Sequence, residues 1–316
     1  MTNPVNKTEF KACSRSILNA LRKQPPSRAP SFISTVFGDS VEPHGGEISL
    51  GSLINLLAPF GINERLVRTS VYRLSQDNWL TYEKIGRRSY YRLTSQASVS
   101  VKQAESRIYY FPEKTWNNEW CLVFTGTAGT TAEQRTELRK RLTWLGFGMI
   151  APNVYGHPAA TLQPIWELCE ELGVSDKIVV MRAHNFDQQH GLSSAEMVRQ
   201  CFKLDELEKL YQTFIKRYQR LTACLTADDQ LSGANPEHCF IIRSILIHHY
   251  RRILLRDPLL PTTLLPEQWA GLKAHDICAT IYRAISPIAE QHILNVCENQ
   301  IGGFKPMSES YRKRFT

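Results

Sequence analysis

Between residues 48 and 94 the hydrophobic positions change period twice, and each change predicts an element. The stretch reads ISLGSLINLLAPFGINERLVRTSVYRLSQDNWLTYEKIGRRSYYRLT. Apolar residues crowd Leu50 to Ala58, which predicts a short helix, and Gly61 marks a turn. Asn63 is placed to cap a second helix, because its side chain accepts a bond from an otherwise orphan amide; that helix runs to about Gln76. On a wheel of ~100° per residue, Val67, Val71 and Leu74 share one side. Arg65, Arg68, Thr69, Tyr72, Arg73 and Gln76 share the opposite one. An apolar face anchors the helix while a basic, hydrogen-bonding face points outward, the division that a recognition helix in a DNA major groove requires. The period then shortens to that of a hairpin: Thr81 to Lys84, a turn at Ile85-Gly86-Arg87-Arg88, and Ser89 to Leu93. Gly86 permits the positive φ that a tight hairpin often needs. Lys84, Arg87, Arg88 and Arg92 make its tip and edge positive. Together these elements read as a winged helix-turn-helix.

Around this block the pattern is different. Residues 1–28 are a polar lead-in, with a short helix over Lys11 to Lys23 ended by Pro25-Pro26, and a first core helix follows over Ser31 to Phe37. The loop Val41 to Glu47 leads into the helix-turn-helix, and the serine-rich Ser95 to Gln103 is suited to a linker. The middle alternates: a strand at Trp120 to Phe124, a helix at Thr131 to Leu145, strand pieces at Phe147 to Ile150 and Asn153 to Tyr155, a helix at Leu162 to Leu172, a strand at Lys177 to Arg182. That order predicts a ferredoxin-like α+β domain with an open sheet edge able to pair with a second copy. The rest is all helical. Residues 204, 207, 211, 214, 218 and 221 form one buried stripe. Helices are expected over Pro236 to Leu255, from Pro266 to about Ile285 and from Pro287 to about Asn299, before Gly302-Gly303 releases a basic tail. The expected fold class is therefore an α+β multidomain chain: a winged helix-turn-helix DNA-binding domain over 1–95, a ferredoxin-like dimerisation domain over 96–190, and an all-α regulatory domain over 191–316.

Charge placement sharpens the reading. The chain of 316 residues carries a formal net charge of +8. Residues 61–93 hold seven basic and three acidic residues, residues 1–30 six and one, residues 303–316 four and one, and residues 94–302 twenty-one and twenty-two. The excess sits on the front and the two tails, and a phosphate polyanion suits such a patch; the tails themselves read as solvated. No apolar run approaches the ~18 to 20 residues of a membrane helix, and MTNPVNKTEFKACSRS lacks a signal-peptide core, so a cytoplasmic protein without membrane partners is expected. The eight cysteines are scattered with no CxxC pair. They read as buried small hydrophobes in a reducing compartment, and no metal site is expected.

With these three parts in order, the sequence resembles the PaaX family, repressors of bacterial phenylacetic acid degradation genes. The carriers of the resemblance span nearly the whole chain: SFISTVFGD, GINERLVRTSVYRLSQDNWL and GRRSYYRLT in front, WCLVF and LRKRLTWLGFGMIAPNVYGHP in the middle, FIKRY and HHYRRILLRDPLLPTTLLPEQWAG behind. The winged helix alone is weakly specific; the combination is far more so. The resemblance implies a transcriptional repressor and not an enzyme, acting as a homodimer on a double-stranded DNA operator, with phenylacetyl-CoA as the effector that releases it and no cofactor. The middle is also similar to the small ferredoxin-like nucleases of CRISPR systems. Those place a metal-holding acidic residue at the end of the first strand, where this chain has Phe124-Thr125-Gly126-Thr127. A hydrolytic metal needs acidic oxygen ligands, so the domain reads as a dimerisation scaffold.

The DNA-contacting set expected is Arg65, Arg68, Thr69, Tyr72, Arg73, Gln76, Lys84, Arg87 and Arg88. For the effector, a positive lining for acyl-CoA phosphates is sought among Arg182, His184, His248, His249 and Arg252, with Trp269 as an aromatic wall. The plain alternatives stand beside these: one packed and one exposed histidine at 248 and 249, which point ~100° apart on their helix, and a core tryptophan at 269. No nucleophile–base pair is visible, and Gly126-Thr127-Ala128-Gly129 lacks the ending of a P-loop. The rival functions are a non-specific nucleic-acid-binding protein and an acyl-CoA-acting enzyme.

Overall fold

Two polar side chains set the front of the molecule. The computed structural model describes residues 5–23, 26, 28–110, 116–185, 191–225, 231 and 233–315. Its first elements are α1 (Val5–Lys23), α2 (Ala29–Val36), β1 (Glu47–Ser49), α3 (Leu50–Leu57), α4 (Glu64–Gln76), β2 (Leu80–Ile85), β3 (Arg88–Leu93) and α5 (Ser95–Tyr109). Ser49 Oγ accepts the Ser52 amide at 3.1 Å and starts α3; Asn63 Oδ1 accepts the Leu66 amide at 2.9 Å and starts α4. Each satisfies one of the amides a helix leaves open at its start. The three strands form an antiparallel sheet in the order β1-β3-β2. β1, three residues long and buried throughout, lies partly in the segment expected as a loop; three residues are too few for an alternation to be read.

The middle runs β4 (Glu119–Phe124), α6 (Ala132–Trp144), β5 (Gly148–Ala151), β6 (Val154–His157), α7 (Gln163–Glu171) and β7 (Val179–His184). The strands pair antiparallel in the order β5-β6-β4-β7, leaving β5 and β7 as edges. Cys121, Val123 and Tyr155 on one face of the sheet meet Leu138, Leu142, Ile165 and Leu168 of the two helices. A capping box at Thr131 and Gln134 fixes the start of α6. Behind lie α8 (Ser194–Cys201), α9 (Leu204–Leu225), α10 (Pro236–Leu254), α11 (Ala270–Val296), β8 (Glu298–Asn299), β9 (Gly302–Gly303) and α12 (Glu309–Arg312). All six apolar positions that mark the stripe on α9 are buried. The chain is thus mixed α/β, with helical front and rear regions and a central sheet. It divides into two compact units, one of residues 1–111, 213–252 and 272–316, the other of 112–212 and 253–271.

Three sequence expectations are corrected. The serine-rich stretch expected as a linker is α5, capped by Thr94 Oγ1 on the Ala97 amide. Its serines occupy outer positions while Ala97, Ile108 and Tyr109 are buried. The break expected at Pro287 does not occur, and α11 starts at Ala270 and continues to Val296. Proline removes one intrahelical bond, but Ile281, Ile285, Ala289 and Ile293, one turn apart, are all fully buried and hold both halves in line. The basic tail after Gly303 is not solvated throughout: Phe304, Met307, Arg314 and Phe315 are buried.

Arg314 reaches a buried ion cluster centred on Asp39, which lies in a π-helical turn after α2 (Phe37–Val41). Asp39 is 2% exposed and Arg243 fully buried. The Asp39 carboxylate accepts bonds from Arg243 Nε at 3.0 Å, Tyr109 at 2.8 Å and Tyr282 at 3.0 Å, with Arg314 Nη1 at 3.5 Å. Arg314 also meets Glu105 at 3.0 Å. Burial by itself would raise the Asp39 carboxyl; the two guanidiniums and two phenols outweigh it and hold the group below its ordinary value. A second tie joins α2 to α10, where Thr35 Oγ1 lies 2.9 Å from His248 Nδ1. Burial, then Arg251 and Arg252, push His248 down to about 3.

Removing the shared carboxylate leaves two buried guanidiniums undercompensated, so Asp39→Asn is expected to cost about 3 to 5 kcal/mol of unfolding free energy in denaturant titration. His248 gives a pH dependence. Its folded value lies below the ordinary 6.5, so the unfolded chain binds the extra proton, and stability present above about pH 6.5 is lost as pH falls toward 3. Against His248→Asn, the parent is expected to lose about 1 kcal/mol more per pH unit across that window, read by unfolding at stepped pH.

Candidate nucleic-acid interface

The amphipathic split of α4 positions the site. Val67, Ser70, Val71 and Leu74 are buried, and Arg65, Arg68, Thr69, Tyr72, Arg73 and Gln76 are exposed. Tyr72 is 65% exposed. Arg65 and Arg73 make no ion pair among the described residues. Arg68 differs: its guanidinium pairs with Glu64 one turn back, at 2.8 Å, with both side chains more than half exposed. So exposed a pair holds its arginine weakly. Thr69 Oγ1 donates to the Arg65 carbonyl at 2.9 Å, which leaves its methyl and oxygen lone pairs facing out.

The hairpin adds a second cationic element. Lys84, Arg87 and Arg88 are exposed around the Gly86 turn, where φ is +60° and an added Cβ would meet no neighbour but a strained backbone. Lys84 and Arg87 carry no ion pair among the described residues. Arg88 pairs with Glu298 at 2.8 Å and Arg92 with Glu83 at 3.2 Å. The Tyr82 ring lies 5.4 Å from that of its cross-strand partner Tyr91, tilted by 31°, and is itself exposed. The surface therefore combines guanidiniums, an ammonium, a hydroxyl and two phenols, the donor set that meets phosphate and base edges.

The residues considered for an effector fall into separate settings. His248 is enclosed, with Thr35 on Nδ1 and Phe32 edge-on at 5.1 Å. His249 is half-buried, with the Tyr218 hydroxyl 2.8 Å from Nδ1 and Arg217 3.1 Å away. Burial, then Arg217, His248 and Arg252, push His249 down to about 3. Around these neutral rings Arg217, Arg251 and Arg252 have no carboxylate within ion-pair distance among the described residues. Sequence reasoning missed Arg217, whose basic character on an exposed face of α9 is not distinctive. Arg182 and His184, in the other unit, both meet Glu119, at 2.9 and 3.7 Å. Trp269 is buried, edge-on to Tyr211 at 5.8 Å. Among the described residues no group of three or more His, Cys, Asp or Glu could hold a metal ion, and no helix is long and apolar enough to cross a membrane.

At the end of β4 the Thr125 amide donates to the Asn153 carbonyl at 2.8 Å, and a side chain at Gly126 would strike Asn153 at 2.9 Å. A carboxylate cannot be placed there without moving the neighbouring turn.

Comparison with known proteins gives three consecutive matched segments. Residues 28–97 match a family described as PaaX-like protein, residues 113–197 the PaaX protein central Cas2-like domain, and residues 202–295 the PaaX-like protein C-terminal domain. The chain is 36% identical to the transcriptional repressor PaaX of Escherichia coli (strain K12) over 291 residues, covering 92% of this chain and 90% of that one. A solved structure of an uncharacterized protein from Mycobacterium tuberculosis shares the fold at a TM-score of 0.54 and 20% identity, covering 83% of this chain and 99% of the other. Matched from front to rear by these domains and by a relative across nine-tenths of its length, the chain belongs to the PaaX family.

Proposed function

We propose that the protein is a transcriptional repressor of phenylacetate catabolism genes that binds its operator as a homodimer and is released by phenylacetyl-CoA. The observation that carries the reading is α4: apolar where it docks, cationic where it faces out, with Arg65 and Arg73 uncommitted to any carboxylate among the described residues. The repressor named among its relatives supports the same reading.

α3, the turn at Gly61, α4 and the β2–β3 hairpin serve as a winged helix-turn-helix. α4 enters the major groove, where Arg65, Arg68 and Arg73 reach guanine edges and Thr69, Tyr72 and Gln76 reach backbone or methyl groups. Arg68 exchanges Glu64 for DNA at little cost, the pair being exposed. Lys84, Arg87 and Arg88 take phosphate or the adjacent minor groove. The middle region, with the strand order of a ferredoxin-like sheet, is the dimerisation element; its edge strand β7 carries half-exposed Val179 and Met181. For the effector, the uncompensated guanidiniums Arg217 and Arg252 beside His249 are the phosphate-binding part. An acyl-CoA lowers operator affinity only by binding the unbound geometry more tightly.

Mobility-shift titration on promoter DNA of phenylacetate catabolism genes, at fixed salt and with competitor DNA, tests the reading. Arg73→Ala is expected to lose about 1 to 3 kcal/mol of operator binding and to relax choice at one base. Arg87→Ala is expected to weaken all sequences alike and to lower the slope of log K against log salt by about 1. Equal affinity of Arg73→Ala and parent for operator would overturn the groove assignment, and equal affinity for operator and competitor would make the protein a non-specific binder. Phenylacetyl-CoA is expected to weaken operator binding by ~100-fold, about 2.7 kcal/mol of coupling, while free phenylacetate leaves it unchanged. Arg217→Ala and Arg252→Ala are expected to blunt that release without changing binding in the ligand's absence.

A further inference from the structure

Among the described residues one pair of sulfurs meets: Cys13 Sγ on α1 lies 3.3 Å from Cys224 Sγ on α9. Nothing in the DNA-binding reading uses either. Both are 6% exposed. Each lies on a buried stripe: Phe10, Cys13, Leu18 and Leu21 on α1, and Phe214, Tyr218, Leu221 and Cys224 on α9. The stripes fix which way both side chains point, so the meeting follows from helix packing. Elsewhere cysteines serve as small interior hydrophobes: burial pushes the thiols of Cys121, Cys169 and Cys239 up to about 11 and that of Cys297 up to about 12. A disulfide needs its sulfurs at about 2.05 Å. Closing from 3.3 Å asks for a shift of about 1.2 Å.

We propose that Cys13 and Cys224 are a thiol modification site, closed to a disulfide by a hydroperoxide and reopened by a low-molecular-weight thiol. One thiolate attacks the peroxide oxygen, the O–O bond breaks, and a sulfenic acid forms with release of water or an alcohol. The second thiolate attacks the sulfenic sulfur, the S–S bond forms, and hydroxide leaves and takes up a proton as water. Two thiols lose two electrons and the peroxide gains them. The link joins residues 211 apart in the chain, which restricts the unfolded ensemble and pins α1 to α9. Cys224 lies two turns from Arg217 along α9, so the tie secures the helix that carries the guanidinium nearest His249. The inference does not depend on the DNA or effector readings.

Hydrogen peroxide added to the full chain, followed by thiol counting and peptide mapping, tests it. The expected result is six remaining thiols from eight, a Cys13–Cys224 cross-linked peptide, a higher melting temperature and slower tryptic cleavage in α1. Dithiothreitol is expected to reverse all four. Cys13→Ser and Cys224→Ser are each expected to abolish the link, while Cys239→Ser retains it. Eight thiols after treatment of the folded chain, oxidation of either sulfur without a link, or a link that survives in Cys13→Ser would each overturn the proposal.

Discussion

One carboxylate organises the unit that carries α4 and its exposed arginines. Asp39 gathers Arg243 from α10, Tyr282 from α11, Tyr109 from α5 and Arg314 from the tail onto the end of α2. Taking such charges out of water is expensive, and an ion cluster of this kind adds little stability over a well-packed apolar one. What it adds is specificity of arrangement. The two guanidiniums reach the Asp39 carboxylate together only when segments distant in sequence converge on one turn, and even there Arg243 Nη1 has no hydrogen-bond partner among the described residues. Glu105, half a cluster away on α5, supplies the second negative charge that two buried arginines require.

The position of α4 is downstream of that arrangement. α4 packs through Val67, Val71 and Leu74 on a core that includes Phe32, Ile33 and Val36 of α2. Phe37, at the start of the turn that bears Asp39, meets Trp79 edge-on at 6.1 Å just before the hairpin. On the other side, His248 ties Thr35 of α2 to α10, three residues from Arg251 and four from Arg252. The helix that presents arginines to solvent and the helix that holds uncompensated guanidiniums therefore share α2 as their common neighbour. That is a physical connection through buried polar bonds; energetic coupling along it requires two arrangements of α2 that the two surfaces favour unequally.

Legibility followed the kind of interaction that shapes each element. Where one face is buried and the other exposed, as on α4 and α9, period alone identifies the helix and the residues on either face. Asn63 was readable as a cap because capping is local in sequence. The interior polar cluster was not. Asp39 sits in SFISTVFGD with no partner within reach, because its cations lie 204 and 275 residues away. The tail was misread for the same reason: the buried partner of Arg314 cannot be seen from KPMSESYRKRFT. α5 was misread because serine favours turns in isolation, whereas its helix rests on Ala97, Ile108 and Tyr109. Among the effector residues, charge and aromaticity were visible but not context: Arg182 and His184 share Glu119, and Trp269 packs on Tyr211.

The distribution of carboxylates explains why the α4 face remains positive. Residues 31–60 contain three acidic groups and no lysine or arginine, enough to cancel most of the excess on residues 61–93 if they lay on the same surface. They do not. Asp39 is spent on Arg243 and Arg314; Glu47 is buried, with its carboxylate on the Gln300 amide; Glu42 is half-buried, and burial raises its carboxyl. The opposing charge of residues 31–60 is drawn inward, and solvent meets the arginines of α4 with Glu64 at the start of the helix and Asp77 at its end. A surface field depends on where charges are solvated as much as on how many there are. The same residues that assemble the interior thus leave the outward face cationic, so the arrangement of the front region and the positive charge of the α4 face arise from one placement of charge.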